Sequence, residues 1–201
     1  MLIVDKPAGL LAVPGRGPDK QDCLASRIQA AFPDALIVHR LDMATSGLIV
    51  FARGAHMQSV LSRMFRERKV EKRYVAVVAG RMKSEAITAT PFAASVPRSP
   101  LRYTTPCVSL RANGESIEPQ NDSVGWYEIA LPLMADWPNR PRQKVDRVSG
   151  KPSLTRYQVL EHSATASRVA LEPVTGRTHQ LRVHLAANWP PHRGRHTLRR
   201  L

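Results

Sequence analysis

The run Gly47-Leu48-Ile49-Val50-Phe51-Ala52 follows directly on a polar and charged cluster, His39-Arg40-Leu41-Asp42-Met43-Ala44-Thr45-Ser46. An apolar run of this length, with β-branched and aromatic side chains, predicts a fully buried central strand. Polar groups at the mouth of such a strand are held rigidly yet stay reachable by a ligand, which is where sites commonly form. An Asp in a turn is most often a cap or a solvated charge. It is the neighbours of Asp42 that make it a candidate.

Around this strand the chain alternates between the two regular periods. Leu2-Ile3-Val4 reads as a short strand, ended by Asp5-Lys6-Pro7-Ala8-Gly9 because Pro and Gly cannot continue a ladder. Asp22 is the expected N-cap of a helix running to about Phe32, closed by Pro33. From Ala55 to Arg68, Met57, Val60, Leu61, Met64 and Phe65 recur at spacings of three and four, the period of an amphipathic helix. Tyr74 to Val78 is a β-branched strand, with further strands expected at Trp126 to Leu133, Leu154 to Leu160 and Arg168 to Pro173, then a helix from Thr178 to Ala187. Residues 91–125 lose all periodicity and read as a surface insertion. Helices and strands interleave without strict alternation, so the expected class is α+β, a mixed sheet flanked by helices, in one domain spanning residues 1–201.

Charge narrows the partner. Lys and Arg number 30 against 16 Asp and Glu, a formal net charge of +14, which favours a polyanion through counterion release. RNA, DNA and an anionic membrane all qualify. No stretch approaches the roughly 20 apolar residues that span a bilayer, and the N-terminus lacks a signal-peptide pattern, so the expectation is a cytoplasmic protein with no membrane partner. Cys23 and Cys107 form no CxxC pair and read as ordinary thiols. His179 and His184, five apart, fall on different helix faces with no carboxylate or Cys to complete a site, so no metal is expected.

The segment HRLDMATSGLIVFAR (residues 39–53) resembles the signature around the catalytic Asp of RluA-type pseudouridine synthases. Three more segments are similar to that family, in its order: the opening VDKPAGLLAVPG, Lys72-Arg73-Tyr74-Val75-Ala76, and Gly176-Arg177-Thr178-His179-Gln180-Leu181-Arg182-Val183-His184-Leu185. Asp136-Trp137-Pro138-Asn139-Arg140-Pro141 and Gly150-Lys151-Pro152 look most like the RluA branch itself, whose members act on transfer RNA and large-subunit ribosomal RNA.

The resemblance implies a mostly antiparallel mixed sheet with a central RNA-binding cleft, no cofactor, and a monomer that isomerises uridine in a tRNA anticodon stem-loop, a large-subunit rRNA hairpin, or both. It makes Asp42 the catalytic carboxylate, Tyr74 the active-site tyrosine that packs on the extruded uracil and accepts or relays the proton leaving C5, and Arg177 the basic residue beside Asp42. Arg40 takes the place vacated by the flipped base, and His39, Thr45, Leu181 and Arg182 complete the substrate-binding set. Each role is chemically coherent. A positioned carboxylate can stabilise an electron-poor sugar carbon or remove a proton next to it, and a guanidinium keeps that carboxylate ionised.

Two features depart from the family pattern besides the insertion. The chain opens directly at VDKPAG, where the family usually has a further strand, and no S4-like RNA-binding segment precedes it. After Leu185, residues 188–201 form a basic, Pro-rich tail in which neither strand nor helix period is visible, so an open sheet edge is expected there. The alternative function is accordingly a catalytically impaired RNA-binding or RNA-folding protein derived from the family.

Overall fold

The computed structural model describes residues 1–82, 87–88, 125–188 and 197–200. The expected insertion at 91–125 therefore lies outside the described residues apart from Gly125, as do Cys107 and residues 189–196 and 201 of the tail. In chain order the elements are β1 (Leu2–Lys6), α1 (Leu24–Ala31), β2 (Ala35–Ile37), β3 (Thr45–Arg53), α2 (Gly54–Arg66), β4 (Tyr74–Ala79) and β5 (Ile87–Thr88). They continue with β6 (Tyr127–Ala130), β7 (Leu133–Ala135), β8 (Gln143–Val145), β9 (Leu154–His162), β10 (Ala166–Pro173), α3 (Gln180–Asn188) and β11 (Thr197–Arg200).

One nine-stranded sheet runs β1-β3-β11-β4-β10-β9-β6-β5, with β2 also paired to β3, and β7-β8 forms a separate hairpin. Pairing is antiparallel except at β11–β3 and β5–β6. The mixed, mostly antiparallel sheet with helices is the α+β architecture expected from the sequence.

Several local expectations are corrected. The run 47–52 does form a central strand, but it is not buried on both sides. Ile49 and Phe51 are fully buried while Leu48 remains 41% exposed, the alternation of a strand with one covered face. Asp22 does not cap α1: its carboxylate is taken by Arg27 at 2.7 Å, and Cys23 is the N-cap, its Sγ accepting the Ser26 N–H at 3.4 Å. The expected strand from Trp126 to Leu133 is two strands, because Pro132 has no N–H to give a ladder. The tail does contain a strand. The backbone of 197–200 lies between β3 and β4, parallel to the first and antiparallel to the second, and it closes the gap where an open edge was expected.

Two large apolar clusters, with a small third at Ala130 and Leu154, cover the sheet among the described residues. Ala12, Leu24, Ala25, Leu41, Ile49 and Phe51 build one beneath α1; Ala76, Ile129, Tyr157, Leu171, Leu181 and Leu185 build the other beneath α3. Tyr74 packs against both. The helix α2 is as amphipathic as its spacing implies, yet none of its side chains is fully buried.

Phe51→Ala should destabilise the fold by about 3–5 kcal/mol, the usual cost of emptying a fully buried phenylalanine site. Leu48→Ala on the open face of the same strand should stay within about 0.5 kcal/mol. Urea unfolding of the two variants checks the one-sided burial of β3.

Candidate active site

Asp42 lies in the turn that feeds β3, and that turn is fastened from behind. The Asp42 carbonyl accepts the Thr45 N–H at 2.9 Å, while the Met43 carbonyl accepts the Gly9 N–H at 2.8 Å and the Lys6 ammonium at 3.1 Å. Gly9 has φ of 90°, a left-handed conformation that glycine adopts without steric cost, and this lets the VDKPAG turn bring its N–H onto the Asp42 turn. Lys6 is fully buried and donates also to the carbonyls of Pro7 and Leu10, at 2.8 and 2.7 Å. Burial pushes its ammonium below the ordinary lysine value, and the negative charge of Asp42 pulls it back up. Sequence reading did not single Lys6 out. Its signal was a lysine at the inner end of an apolar strand, which must be paired or hydrogen-bonded once buried.

The carboxylate itself is held from the far end of the chain. His179 donates through Nδ1 to Asp42 Oδ2 at 2.9 Å, and Arg182 donates through Nε to the same oxygen at 3.3 Å. Arg182 Nη2 also donates to the hydroxyl of buried Thr45 at 3.2 Å, so a single guanidinium spans the carboxylate and the first residue of β3. Both contacts to Asp42 fall on Oδ2, and Oδ1 has no hydrogen bond among the described residues. Burial pushes the carboxyl up, but the His179 hydrogen bond and charge, with those of Arg182, outweigh it and hold Asp42 below the usual carboxylate range. The group is an anion with one lone-pair face engaged and one open.

His179 and Arg182 reach Asp42 because α3 is pinned through its opposite side. Gln180 is buried: its Oε1 accepts the Thr175 hydroxyl at 2.7 Å and the Arg177 N–H at 3.0 Å, and its Nε2 donates to the Leu154 carbonyl and the Thr155 hydroxyl, both at 3.0 Å. One helical turn on, His184 places Nδ1 at 3.0 Å from the Thr155 hydroxyl and Nε2 at 3.0 Å from both the Ser153 hydroxyl and the Leu131 carbonyl. The carbonyl can only accept, so Nε2 carries the proton and Nδ1 accepts from Thr155. Residues 180 and 184 face the sheet while 179 and 182 face the carboxylate, the two sides of one helix start. His179 sits at φ of 52°, the left-handed region, just before the first helical residue. That departure turns its ring away from the sheet.

The expected set is brought together only in part. Asp42, Thr45 and Arg182 converge. Arg177, expected at Asp42, is exposed and donates through Nε to the Pro152 carbonyl at 3.3 Å, because its N–H is tied to Gln180 and its side chain runs along the 150–152 turn. Arg182 occupies the guanidinium role. His39 is engaged by the scaffold, with Nε2 accepting the Val50 N–H at 3.0 Å and the ring stacked on Phe65 at 4.4 Å between centroids. Leu181 is buried in the core, Tyr74 is half-buried against both clusters, and Arg40 is exposed. His179 was weighed in the sequence only as a metal ligand. Among the described residues no group of three or more His, Cys, Asp or Glu is placed to hold a metal ion.

Beside this cluster runs a groove of about 590 Å³ between β8 and α3. Pro141, Gln143, Val145 and Val183 line it, and His179 and Arg182 form the end next to Asp42. The adjoining β7–β8 hairpin carries a short 3-10 turn, Trp137–Asn139, whose exposed Trp137 is covered by the Arg140 guanidinium 3.4 Å from the ring centroid.

A family model described as RNA pseudouridylate synthase matches residues 1–187. The chain belongs to the RNA pseudouridylate synthase family. Members named "Dual-specificity RNA pseudouridine synthase RluA" are 41% identical to it in Escherichia coli (strain K12), over 93% of this chain and 68% of that protein, and 41% identical in Yersinia pestis, over 95% and 74%. Among solved structures, human RNA Pseudouridylate Synthase Domain Containing 1 superposes with a TM-score of 0.62 at 24% identity, covering this whole chain and 72% of that one. Domain Containing 4 gives 0.54 at 22%, covering 93% and 60%. Those two establish the fold. Family membership makes the protein an RNA-modifying isomerase, and the carboxylate cluster is its candidate active site.

Two outcomes follow for this pseudouridylate synthase. Because Arg182 helps hold Asp42 ionised, Arg182→Ala should move the acid limb of the pH–rate profile to higher pH and lower the plateau rate, read by single-turnover assays across pH. His184, with its pKa pushed down to about 4 by burial, is stabilising as the neutral ring above its unfolded value of 6.5. As pH falls from 6.5 toward 4 the unfolded state takes up the proton first, so up to about 3 kcal/mol of stability is lost in that window. Urea unfolding at pH 7 and pH 4 should show this loss shrinking in His184→Gln.

Proposed function

We propose that this enzyme isomerises uridines in tRNA and in large-subunit rRNA stem-loops, working as a single-domain monomer in the cytoplasm, with Asp42 as its catalytic carboxylate. The reading is carried by one observation: Asp42 is ionised, immobilised through Oδ2 and open at Oδ1. Oδ1 is the atom that meets the sugar, either adding to C1′ or taking the proton beside it, while the bond from C1′ to N1 breaks and the bond from C1′ to C5 forms. The dual specificity of the RluA relatives, 41% identical to this chain, supports both classes of RNA as targets.

The target base is stacked in RNA and must be swung out, at a cost of a few kcal/mol that contacts to the flanking phosphates offset. A net charge of +14 supplies those contacts. Arg40, exposed beside the catalytic turn and without an ion pair among the described residues, stacks in the vacated space. Tyr74, on the strand bridging both cores, packs against the extruded uracil. Arg177, exposed at the approach to α3, contacts backbone phosphate. No helix among the described residues is long and apolar enough to cross a membrane.

The experiment is conversion of uridine in a tRNA anticodon stem-loop and in rRNA hairpins by purified protein, without added nucleotide. Asp42→Asn should abolish product and leave salt-dependent RNA binding in place. An Asn variant as active as the parent would remove Asp42 from the chemistry, and binding without turnover by the parent would favour an RNA-binding role.

A further inference from the structure

The segment Asp136-Trp137-Pro138-Asn139-Arg140-Pro141 carries the likeness to the RluA branch, yet the Asp42 cluster uses none of its residues. It forms the tip of the β7–β8 hairpin and leaves Trp137 62% exposed. An indole in water forgoes the burial that tryptophan otherwise gains. An apolar groove lies alongside, lined by Pro141, Val145, Val183 and Ala186, and the indole does not enter it.

The tip is tied so as to hold the ring outside. The Asp136 N–H donates to the Arg142 carbonyl, the Arg142 N–H to the Asn139 carbonyl and the Asn139 N–H to the Asp136 carbonyl, each at 3.0 Å. The Asn139 side-chain amide donates to the Asp136 carboxylate, also at 3.0 Å, and Pro138 and Pro141 fix two of the φ angles in between. The turn is set before any partner arrives, which spares the ordering cost of binding.

We propose that Trp137 and Arg140 form a stacking platform for an unpaired nucleobase in the loop of the RNA, a base other than the target uridine. The Arg140 guanidinium lies 3.4 Å from the ring centroid and covers one face of the indole, so the exposed area belongs to the other face and the edge. A rigid aromatic face is what a splayed base stacks on, and every base offers a π-face to it. The cation backs the ring and supplies positive charge for the phosphate of the stacked nucleotide.

Charge and position select RNA as the partner. From Asp136 to Arg147 there are four cations, Arg140, Arg142, Lys144 and Arg147, against two carboxylates, Asp136 and Asp146. Lys144 is paired with Asp146 at 3.9 Å, while Arg140 and Arg142 are exposed and have no ion pair among the described residues. Pro141 and Arg142, next to the platform in the chain, line the same groove as His179 and Arg182, which hold Asp42. An RNA loop whose uridine meets Asp42 brings its neighbouring nucleotides past the hairpin tip. Stacking does not read base identity, so the platform favours an unpaired loop over continuous duplex, whose bases stay stacked on one another.

The platform's role rests on the proposed reading of Asp42, and binding and conversion are measured separately so that either can fail alone. Fluorescence anisotropy reads the affinity of parent, Trp137→Ala and Trp137→Phe for a labelled tRNA anticodon stem-loop. The RNA is intact or carries one abasic nucleotide, placed in turn at each loop position other than the target, and urea unfolding checks that the variants fold alike. Trp137→Ala should bind the intact stem-loop about 5- to 150-fold more weakly, the range for losing one base–aromatic stack, and Trp137→Phe should recover most of the loss. At one loop position the abasic nucleotide should cost the parent a similar factor and cost Trp137→Ala nothing further. Unchanged affinity in Trp137→Ala would overturn the platform and turn the exposed indole over to a protein or membrane partner. Losses that multiply at every abasic position would overturn it too, since ring and bases would then act independently. Conversion of the intact stem-loop by parent and Asp42→Asn tests the reading beneath: product from Asp42→Asn sinks that reading and leaves the platform to stand on its binding.

Discussion

Two side chains of one helix start share a single oxygen of Asp42, and the rest of the structure is arranged to keep them there. His179 and Arg182 lie 137 and 140 residues along the chain from the carboxylate they hold. Contacts of that separation carry no local propensity to support them, and they depend on the sheet for alignment. The sheet delivers Asp42 through the turn before β3, which is clamped to β1 by Lys6 and Gly9. It delivers α3 through β9, whose Leu154 and Thr155 receive Gln180 and His184.

The clamp on α3 is polar where an apolar one would have been simpler. Leu181 and Leu185 already bury that helix against the core, and apolar packing alone would permit the helix to slide or rotate by small steps. A fully satisfied buried network does not. Gln180 uses both ends of its amide, each with two partners, and any rotation of α3 would leave at least one of them unpaired at a cost of roughly 1–3 kcal/mol. The segment from Gly176 to Leu185 thus divides its labour by helix face: Gln180, Leu181, His184 and Leu185 fix the helix, and His179 and Arg182 hold the carboxylate.

How much of this was legible in the sequence varies with the range of the interactions. The strand at 47–52, the helix expected over 55–68 and the place of Asp42 at the mouth of a strand follow from local period and turn chemistry, and the structure has them, with the helix ending at Arg66 before the left-handed Arg68. The break between β6 and β7 was written in Pro132 but was outweighed by the apolar run around it. The strand at 197–200 has no local signal because its partners are β3 and β4, far back in the chain, and strand pairing of that kind is set by the gap waiting in the sheet. The guanidinium beside Asp42 was sought at Arg177 and is found at Arg182. Both belong to the segment that the resemblance marks. Choosing between them requires the left-handed turn at His179 and the tie from Arg177 to Gln180, neither of which spacing alone reveals.

If Asp42 is the carboxylate that meets RNA, as proposed, its surroundings must answer an electrostatic problem. The proposed reaction needs an anion, yet RNA arrives as a polyanion and repels one. Neutralising Asp42 by protonation would remove the chemistry, so the charge must be matched by cations that are themselves fixed. Lys6 behind the turn and Arg182 beside the carboxylate do this, His179 adds a hydrogen bond to Oδ2, and the lysine and arginine together outnumber the one carboxylate. The same cations are hydrogen-bonded to protein groups, to three carbonyls for Lys6 and to Thr45 for Arg182, so a nearby phosphate cannot readily draw them off Asp42. Arg40, by contrast, is exposed, and the proposed reading leaves it for the phosphates and bases. In the proposed reading, affinity for RNA and ionisation of Asp42 thereby fall to different residues, and a surplus of fourteen positive charges on the chain does not replace the buried lysine that fastens the Asp42 turn.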